Sequence, residues 1–483
     1  MPNRLVILGL MLLLTLPLGA SAAGVIPSTS TSTSPIKHII IIEQENHTFD
    51  NFFGTFPGAN GIQNDPPTVH PFPITEQVTK DLDHSWDAAH EAYDNGTMNG
   101  FLTAEKTDET FGYYTQSEIP YYWSLAKSYT LFDNFFSSVM GPSLPNHVAL
   151  IAAQSGGAKA NDFATFSFSP VMTELDSAGI SWEYYAGYAP AFSGWDALPG
   201  FTQYDTQGWS SKLVASEQII GAIKSGNLPQ VSWVMPPNDS SSDHPPYSLS
   251  VGQNWVESVV SAIQDSKYWS SSAIFLSWDD YGGWYDHVPP PQVSPNGDGF
   301  RVPLILISPF AKQGYIDHTL SDDSSLVRFI EDNFNLGNLG AGDATANDLT
   351  DAFRLGTPHF DQALTLTSAL IGSDSSGDRV LNVTYRDNYY MNIRGEVSAI
   401  VRSGSGDITS YSFAQVSINP TRSAALSLPI PGVLQPQDTN YTVTVFATAP
   451  NGSIASRPYI VFILSSSVKL SQVSTSTDIS DDS

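Results

Sequence analysis

Short runs of apolar residues recur along the chain, and several are followed directly by polar ones. The first run, Ile39 to Ile42, is typical of a strand that is buried on both faces of a parallel sheet. Further strand-like runs, among them Ala273 to Leu276 and Val302 to Ile307, alternate with helix-like segments as far as Phe334. This alternation predicts the α/β class, with a mostly parallel central sheet between two layers of helices, an α/β/α sandwich.

Three shorter segments give local predictions. The pattern predicts a strand from Leu131 to Val139, a helix from Lys212 to Lys224 and a loop from Asp81 to Trp86. A further helix is expected after Ser143, because Ser-Leu-Pro is a common helix opening and Gly156-Gly157 provides a stop.

The pattern changes after Ile371. The tract from Gly372 to Asp378 is typical of a linker, and short alternating runs then recur between Gly, Pro and Asn turns. We therefore expect a catalytic domain over 36–372 and a small all-β sandwich domain over 379–465. Residues 466–483 are rich in Ser, Thr and Asp and are predicted to be a disordered tail.

The N-terminus is typical of a secretory signal peptide over 1–23. Arg4 precedes an apolar run from Leu5 to Leu18, and small residues suited to signal peptidase follow it. An uncleaved membrane anchor is the alternative, although the run is short for a full span. The Ser/Thr-rich segment 24–35 is expected to be a linker. No second run of this kind follows, so we expect the mature chain to lack a transmembrane segment and to be secreted or extracellular, with the cell surface as another location.

Charge and cysteine content narrow the function classes. The chain has 48 acidic and 20 basic residues, a net charge of -28, which disfavours nucleic acid and anionic membrane surfaces as partners. A low-pH environment and a simple gain in solubility both explain this charge. The chain contains no cysteine, which excludes disulfides, thiolate metal sites and a cysteine nucleophile.

Candidate chemistry follows two of the apolar runs. Glu45 and Asn46 come shortly after the first, and Asp279 and Asp280 shortly after the run that ends at Leu276. Adjacent carboxylates repel each other, and a hard divalent metal ion with oxygen ligands would compensate them. An ordinary solvated acidic turn is the alternative for Asp279-Asp280.

Ser143 is a candidate nucleophile, since a helix N-terminus favours an incoming phosphate, but a simple N-cap explains the same serine. The histidines His84, His244 and His287 stand in loop sequence, where an isolated histidine is usually only solvated.

Taken together, these motifs resemble the secreted acid phosphatase and phospholipase C family of phosphoesterases, which is similar in fold to the alkaline phosphatase superfamily. The resemblance runs from Ile36 to Phe334 and does not cover the C-terminal unit. Seven motifs carry it in order: Glu45-Asn46 with Phe49-Asp50 and Phe53-Gly54, Asp81 to Trp86, Gly141 to Asn146, Asp243 to Pro246, Trp278 to Gly283 with Asp286-His287, Arg301 to Pro303 with Ser308-Pro309, and Ser325 to Glu331.

The resemblance implies that one divalent metal ion, of unknown identity, is held by Glu45, Asn46, Asp279 and Asp280. It also implies that Ser143 is the nucleophile and that His84, His244 and His287 line the phosphate pocket. A phosphoserine would form and then hydrolyse, and His287 or His244 would protonate the leaving oxygen.

The chain also departs from the family pattern. Many relatives carry threonine in place of Ser143 and arginine in place of His147, and the sequence around Asp322 matches loosely. These departures leave the nucleophile's chemistry intact and put the choice of substrate in doubt.

Three functions therefore remain open. The first is an acid phosphatase acting on phosphomonoesters, the second is a phospholipase C cleaving phospholipid head groups, and the third is a catalytically inactive cell-surface binding protein. A sulfatase is disfavoured because its usual modified nucleophile derives from cysteine. The sequence does not indicate an oligomeric state.

Overall fold

A computed structural model describes residues 34–162, 165–187, 196–292 and 298–355, together with residue 376 and the backbone of seven strands beyond residue 363. The predicted signal peptide 1–23 and the predicted tail 466–483 lie outside the described residues, as does the predicted linker except for Ser34 and Pro35.

Strands and helices alternate through the first part of the chain. The strands are β1 (His38–Gln44), β2 (Phe72–Pro73), β3 (Gly112–Tyr113), β4 (Thr130–Phe132), β5 (Phe135–Phe136), β6 (Trp182–Ala186), β7 (Leu213–Ala215), β8 (Val231–Val234), β9 (Ser272–Trp278), β10 (Leu304–Ile307), β11 (Tyr315–Asp317) and β12 (Ser321–Asp322). The helices are α1 (Phe49–Phe53), α2 (Trp86–Tyr93), α3 (Phe101–Glu105), α4 (Pro120–Ser128), α5 (Ser143–Ala152), α6 (Met172–Ala178), α7 (Thr202–Thr206), α8 (Gln218–Ser225), α9 (Leu249–Gln264) and α10 (Asp323–Phe334).

The predicted mostly parallel sheet is confirmed. Eight strands form it in the order β11-β4-β10-β9-β1-β8-β6-β7, and β10 runs antiparallel to both of its neighbours. The other adjacent pairs in this sheet are parallel. Strand β1 lies near the middle between β9 and β8, which explains why its four isoleucines are completely buried.

The register of β1 and β9 brings their ends to one level. Gln44 pairs with Trp278, so the residues that follow each strand leave the same edge of the sheet side by side. In an open α/β sheet this carboxyl edge is where ligands bind.

Two local predictions were wrong in detail. The segment Leu131 to Val139 is not one strand but the two strands β4 and β5, separated by Asp133 and Asn134. Between the two strands the Asp133 carboxylate accepts a hydrogen bond from Asn60 N at 2.7 Å. The segment Lys212 to Lys224 begins as strand β7 rather than as a helix, since Leu213 and Val214 pair with β6. The predicted loop from Asp81 ends where α2 begins at Trp86.

The C-terminal part consists of seven strands: β13 (Leu364–Ser373), β14 (Arg379–Asp387), β15 (Ile393–Ser403), β16 (Ile408–Ile418), β17 (Ser423–Pro429), β18 (Tyr441–Thr448) and β19 (Tyr459–Ile463). They form two antiparallel sheets, β13-β14-β17 and β16-β15-β18-β19. Strand β13 pairs with β14, so its residues belong with this all-β part, whereas the predicted boundary placed them in the catalytic domain. The packing of the two sheets as a sandwich stays a prediction.

None of the helices in the described part of the chain combines the length and the apolar character needed to cross a membrane.

Candidate active site

The turns after β1 and β9 are joined through their backbones. Asp279 N donates to Gln44 O at 3.0 Å, and Asn46 N donates to Asp279 Oδ1 at 3.0 Å. Asn46 has a positive φ of 66°, and Gly282 has a φ of +59°. A Cβ on Gly282 would lie only 2.2 Å from Asn46 O, so the approach of the two turns requires glycine there. The predicted metal residues Glu45, Asn46, Asp279 and Asp280 are thereby brought together.

Three of these residues form a buried acidic cluster. Glu45, Asp279 and Asp280 are all buried. Burial, followed by the nearby Asp279 charge, raises the pKa of Glu45 to about 7 and raises the pKa of Asp280 well above its usual range. Burial would also raise the pKa of Asp279, but the contact with His147 outweighs it and holds that pKa below the ordinary value. This density of carboxyl groups favours a bound cation.

The hydrogen bonding of the carboxylate oxygens in this cluster also fits a bound metal ion. Glu45 Oε1 and Asp279 Oδ2 are buried, and neither accepts a hydrogen bond of normal geometry from the described residues, since His147 Nε2 lies 3.4 Å from each. A buried carboxylate oxygen without a hydrogen-bond donor is costly unless a cation binds it. The solvated-turn interpretation of Asp279-Asp280 is therefore wrong, since both residues are about 1% exposed.

The amide of Asn46 fits a metal ion in one of its two orientations. In the first, its nitrogen donates to Asp279 Oδ1 (2.9 Å) and Glu45 Oε2 (3.2 Å), and its oxygen faces Nε2 of His244 (3.0 Å) and of His84 (3.1 Å). In the second, its nitrogen lies 3.1 Å from His84 Nε2 and its oxygen faces the two carboxylates. The second orientation gathers three oxygens and needs a cation between them.

Ser143 is the first residue of α5 and points at this cluster. Its Oγ lies 3.3 Å from Glu45 Oε2 and 3.4 Å from Asp280 Oδ2, and the residue is 1% exposed. Pro142 occupies the N-cap position, and it makes no side-chain capping hydrogen bond. The N-cap interpretation of Ser143 is therefore wrong, and the hydroxyl is directed toward the carboxylates instead.

Two asparagines hold the loop that presents Ser143. The Asn146 side chain accepts from Val139 N at 2.8 Å and donates to Val139 O at 3.2 Å and to Pro142 O at 3.3 Å. Asn161 Oδ1 accepts from Leu144 N at 2.9 Å, which satisfies one of the N–H groups at the helix start. Asn161 was missed by the sequence analysis, because nothing in its local sequence distinguishes it.

His84 and His244 lie together on the other side of Asn46. Their ring centroids are 5.6 Å apart, and Nε2 of both faces the Asn46 amide. His84 Nδ1 lies 2.9 Å from Leu82 O, and His244 Nδ1 contacts Pro245 O. Since a carbonyl oxygen only accepts, each Nδ1 carries a hydrogen, and Nε2 is the nitrogen that can exchange a proton at the site.

His287 lies in a different cluster. Its Nδ1 is 2.6 Å from Asp50 Oδ2, and its Nε2 is 3.2 Å from Asn60 Oδ1. The buried Arg301 binds Asp50 Oδ1 at 2.9 Å and Asp286 Oδ2 at 3.1 Å in the same cluster. The structure thus brings together seven of the eight predicted site residues and places His287 with Asp50 and Arg301.

Two further residues near the site were missed as site residues. Asp243, which precedes His244, accepts from Tyr122 Oη at 2.7 Å and from Trp278 Nε1 at 3.3 Å, so the His244 loop is anchored to the core. His147 lies four positions after Ser143, on the same face of α5, and contacts Glu45 and Asp279. The four-residue spacing was the available signal for His147.

A cavity of about 470 Å³ opens beside Ser143. Its lining residues include Asp81, His84, Trp86, Pro142, Lys159 and Asn161. The Lys159 ammonium lies 4.4 Å from the centre of the Trp86 ring, a cation–π contact that supplies a positive charge at the cavity wall.

Comparison with known proteins identifies the family of this chain. A model of the Phosphoesterase family matches residues 36–337. The chain is 28% identical to a non-hemolytic phospholipase C of Burkholderia pseudomallei over 67% of this chain and 59% of that protein. It is 25% identical to phospholipase C A of Mycobacterium tuberculosis over 73% of this chain and 83% of that protein.

The chain spans about three fifths of the length of the first bacterial phospholipases that it matches. Among solved structures, it is similar to a protein of the alkaline phosphatase superfamily from Vibrio parahaemolyticus, with 10% identity and a TM-score of 0.37 over 80% of this chain and 84% of that one.

Proposed function

Because this chain belongs to the Phosphoesterase family, we propose that it is a metal-dependent phosphoric ester hydrolase that acts on phosphomonoesters through a phosphoserine. The observation that carries the proposal is the position of Ser143 Oγ, within 3.4 Å of both Glu45 and Asp280 at the start of α5. No other serine identified in the sequence analysis combines a helix N-terminus with this acidic cluster.

Glu45, Asn46, Asp279 and Asp280 would hold the metal ion, which when bound lowers the cost of ionising a hydroxyl and neutralises charge on a phosphoryl group. Ser143 Oγ attacks phosphorus, forming the Oγ–P bond as the bond from phosphorus to the leaving oxygen breaks. The hydroxyl proton leaves toward the carboxylate oxygens that Ser143 contacts. The N-terminus of α5 stabilises the negative charge of the phosphoryl oxygens.

His244 is the better candidate for the acid that protonates the leaving oxygen. Its Nε2 faces the site beside Asn46, whereas the nitrogens of His287 contact Asp50 and Asn60. His84 lies beside it and would bind a phosphoryl oxygen. A water molecule then attacks the phosphoserine and His244 Nε2 accepts its proton. The Oγ–P bond breaks, inorganic phosphate leaves, and the carboxylate that took the Ser143 proton returns it to Oγ.

Phospholipase C activity is the second candidate, since the curated relatives named above carry that description. Their longer chains include segments that this chain does not match, so the lipid substrate is not transferred to this protein directly. Export of the mature chain is part of both proposals and rests on the N-terminal sequence.

The deciding experiment compares substrates on one preparation. Purified full-length protein is assayed for phosphate release from p-nitrophenyl phosphate and for head-group release from phosphatidylcholine vesicles, with Ser143→Ala as the control. We expect turnover of the monoester that is lost in the variant. Turnover of the lipid alone would replace the first proposal by the second. Failure of the parent protein on both substrates with a range of divalent metals would favour the binding-protein alternative.

A further inference from the structure

His147 occupies the centre of the acidic cluster. Its Nε2 is 3.4 Å from Glu45 Oε1 and 3.4 Å from Asp279 Oδ2, and all three side chains are fully buried. Both of the carboxylate oxygens it faces are buried, and neither accepts a hydrogen bond of normal geometry in the described part of the chain. One nitrogen and two oxygens therefore converge on a single small volume.

The two distances from the His147 nitrogen to the carboxylate oxygens match the edges of a four-coordinate metal site. Zinc binds nitrogen and carboxylate oxygen at about 2.0–2.2 Å, which in a tetrahedron places neighbouring ligand atoms about 3.4 Å apart. An octahedral magnesium ion with bonds of about 2.0–2.1 Å would place adjacent ligands about 3.0 Å apart. Calcium has longer bonds but takes oxygen ligands, and an imidazole nitrogen is a poor partner for it.

We propose that His147 Nε2 is a direct ligand of the metal ion, together with Glu45 Oε1 and Asp279 Oδ2, so that at most one of Asn46 and Asp280 completes a four-coordinate site. The mixed nitrogen and oxygen ligands then select a metal of the zinc or cobalt type over calcium or magnesium. The inference rests on the metal site of the proposed function, but it concerns which atoms bind the ion and not the reaction.

The competing explanation is that His147 is only an internal counterion, a charged imidazole that neutralises Glu45 and Asp279 without touching a metal. The two explanations differ in what surrounds the ion. A nitrogen ligand leaves a spectroscopic signature on the metal itself, which a counterion does not.

The experiment uses the full chain, stripped with a chelator and reloaded with one equivalent of copper(II) or cobalt(II). We expect ¹⁴N hyperfine structure from imidazole in the copper EPR spectrum of the parent protein and its loss in His147→Gln. We also expect zinc to bind His147→Gln about 100-fold or more weakly, since even residues behind the ligands are worth about 10–100-fold in metal affinity.

Two matched variants serve as controls. His84→Gln removes a nearby histidine that does not face Glu45 Oε1. His90→Gln removes a histidine of helix α2. Both variants should keep the ¹⁴N signal in the copper EPR spectrum. Persistence of the signal in His147→Gln, with its loss in His84→Gln, would overturn the proposal.

A measurement on the unaltered protein covers the case in which His147→Gln does not fold. Competition titration of the stripped parent should give zinc binding at least about 100-fold tighter than magnesium or calcium, and equal or reversed affinities would overturn the proposal. These measurements do not depend on turnover. If the protein hydrolysed no phosphate ester, the proposed function would be refuted, but the metal measurements would still show whether His147 is a ligand.

Discussion

Ser143 Oγ lies 3.3 Å from Glu45 Oε2, so a hydroxyl carried by helix α5 meets a carboxylate carried by the turn after β1. The two residues are 98 positions apart in sequence. Both are buried, and each is held by its own part of the fold, the serine by the Asn146 contacts and the glutamate by the sheet register. Their meeting is the arrangement on which the proposed chemistry depends.

Replacement of Ser143 by alanine should lower kcat for p-nitrophenyl phosphate by about 10⁴-fold or more, because the nucleophile is lost. The matched control is Ser138→Ala, a nearby buried serine whose hydroxyl has no hydrogen-bond partner among the described residues. Both variants should keep the parent's Tm within a few degrees. Substantial activity in Ser143→Ala would contradict its role as nucleophile.

Glu45→Gln should weaken metal binding far more than Glu43→Gln, by about 10-fold or more. Burial, followed by the charge of Asp323, raises the pKa of Glu43 well above its usual range, so a neutral glutamine resembles the group already present. Glu45 instead faces His147 and Ser143 inside the acidic cluster. Calorimetric titration of zinc into the two stripped variants measures the difference, and equal losses would count against Glu45 as a ligand.

His244→Asn and His287→Asn should fail in different ways. Removal of the proposed acid should lower kcat by about 10²-fold for an alkyl phosphate and much less for p-nitrophenyl phosphate, whose leaving group needs no proton. Removal of His287 breaks the contacts to Asp50 and Asn60 and should lower Tm instead. If His287→Asn showed the leaving-group dependence and His244→Asn did not, the assignment of the acid would be reversed.

The stability of the protein should fall as pH rises from about 4 to about 8, in part because of Asp298. Burial raises the pKa of Asp298 to about 8, and the charges of Asp322 and Asp323 act in the same direction. The unfolded chain loses this proton near pH 4 while the folded chain keeps it, so rising pH favours unfolding across that interval.

Asp298→Asn removes this titration and should flatten the decline in Tm between pH 4 and pH 8 by a few degrees. Thermal unfolding at one-unit steps of pH measures it, with the exposed Asp205→Asn as the control that leaves the slope unchanged. A variant with the parent's slope would show that Asp298 does not contribute.

Local patterns in the sequence predicted most of the sheet and the position of Glu45, Asn46, Asp279 and Asp280 at its edge, whereas their role as metal ligands came from the family resemblance and stays a prediction. An all-apolar run fixes β1, and polar residues that directly follow two neighbouring parallel strands must leave the same edge. His147 was not identified as part of the site, because its role depends on how α5 packs over that edge. The alternative N-cap role of Ser143 could be rejected only once Pro142 was seen to occupy the cap position.

His287 is the opposite case, a residue predicted to line the site that lies in a different cluster. It stands in a motif beside Asp286, seven positions after Asp280, and its sequence context is that of a site residue. The turn at Gly282 and Gly283, both with positive φ, redirects the chain toward Asp50 and Arg301. A change of direction of this kind depends on tertiary contacts, which a pattern of residue types does not reveal.

The contact between Asn46 O and Gly282 also limits how this protein can diversify. Because no side chain fits at Gly282, the two turns form one rigid support that tolerates neither insertion nor substitution at that point. Trp86 and Lys159, which line the cavity, take no part in the contact at Gly282. New substrate preferences should therefore arise by changes around these two residues, while the support is inherited unchanged.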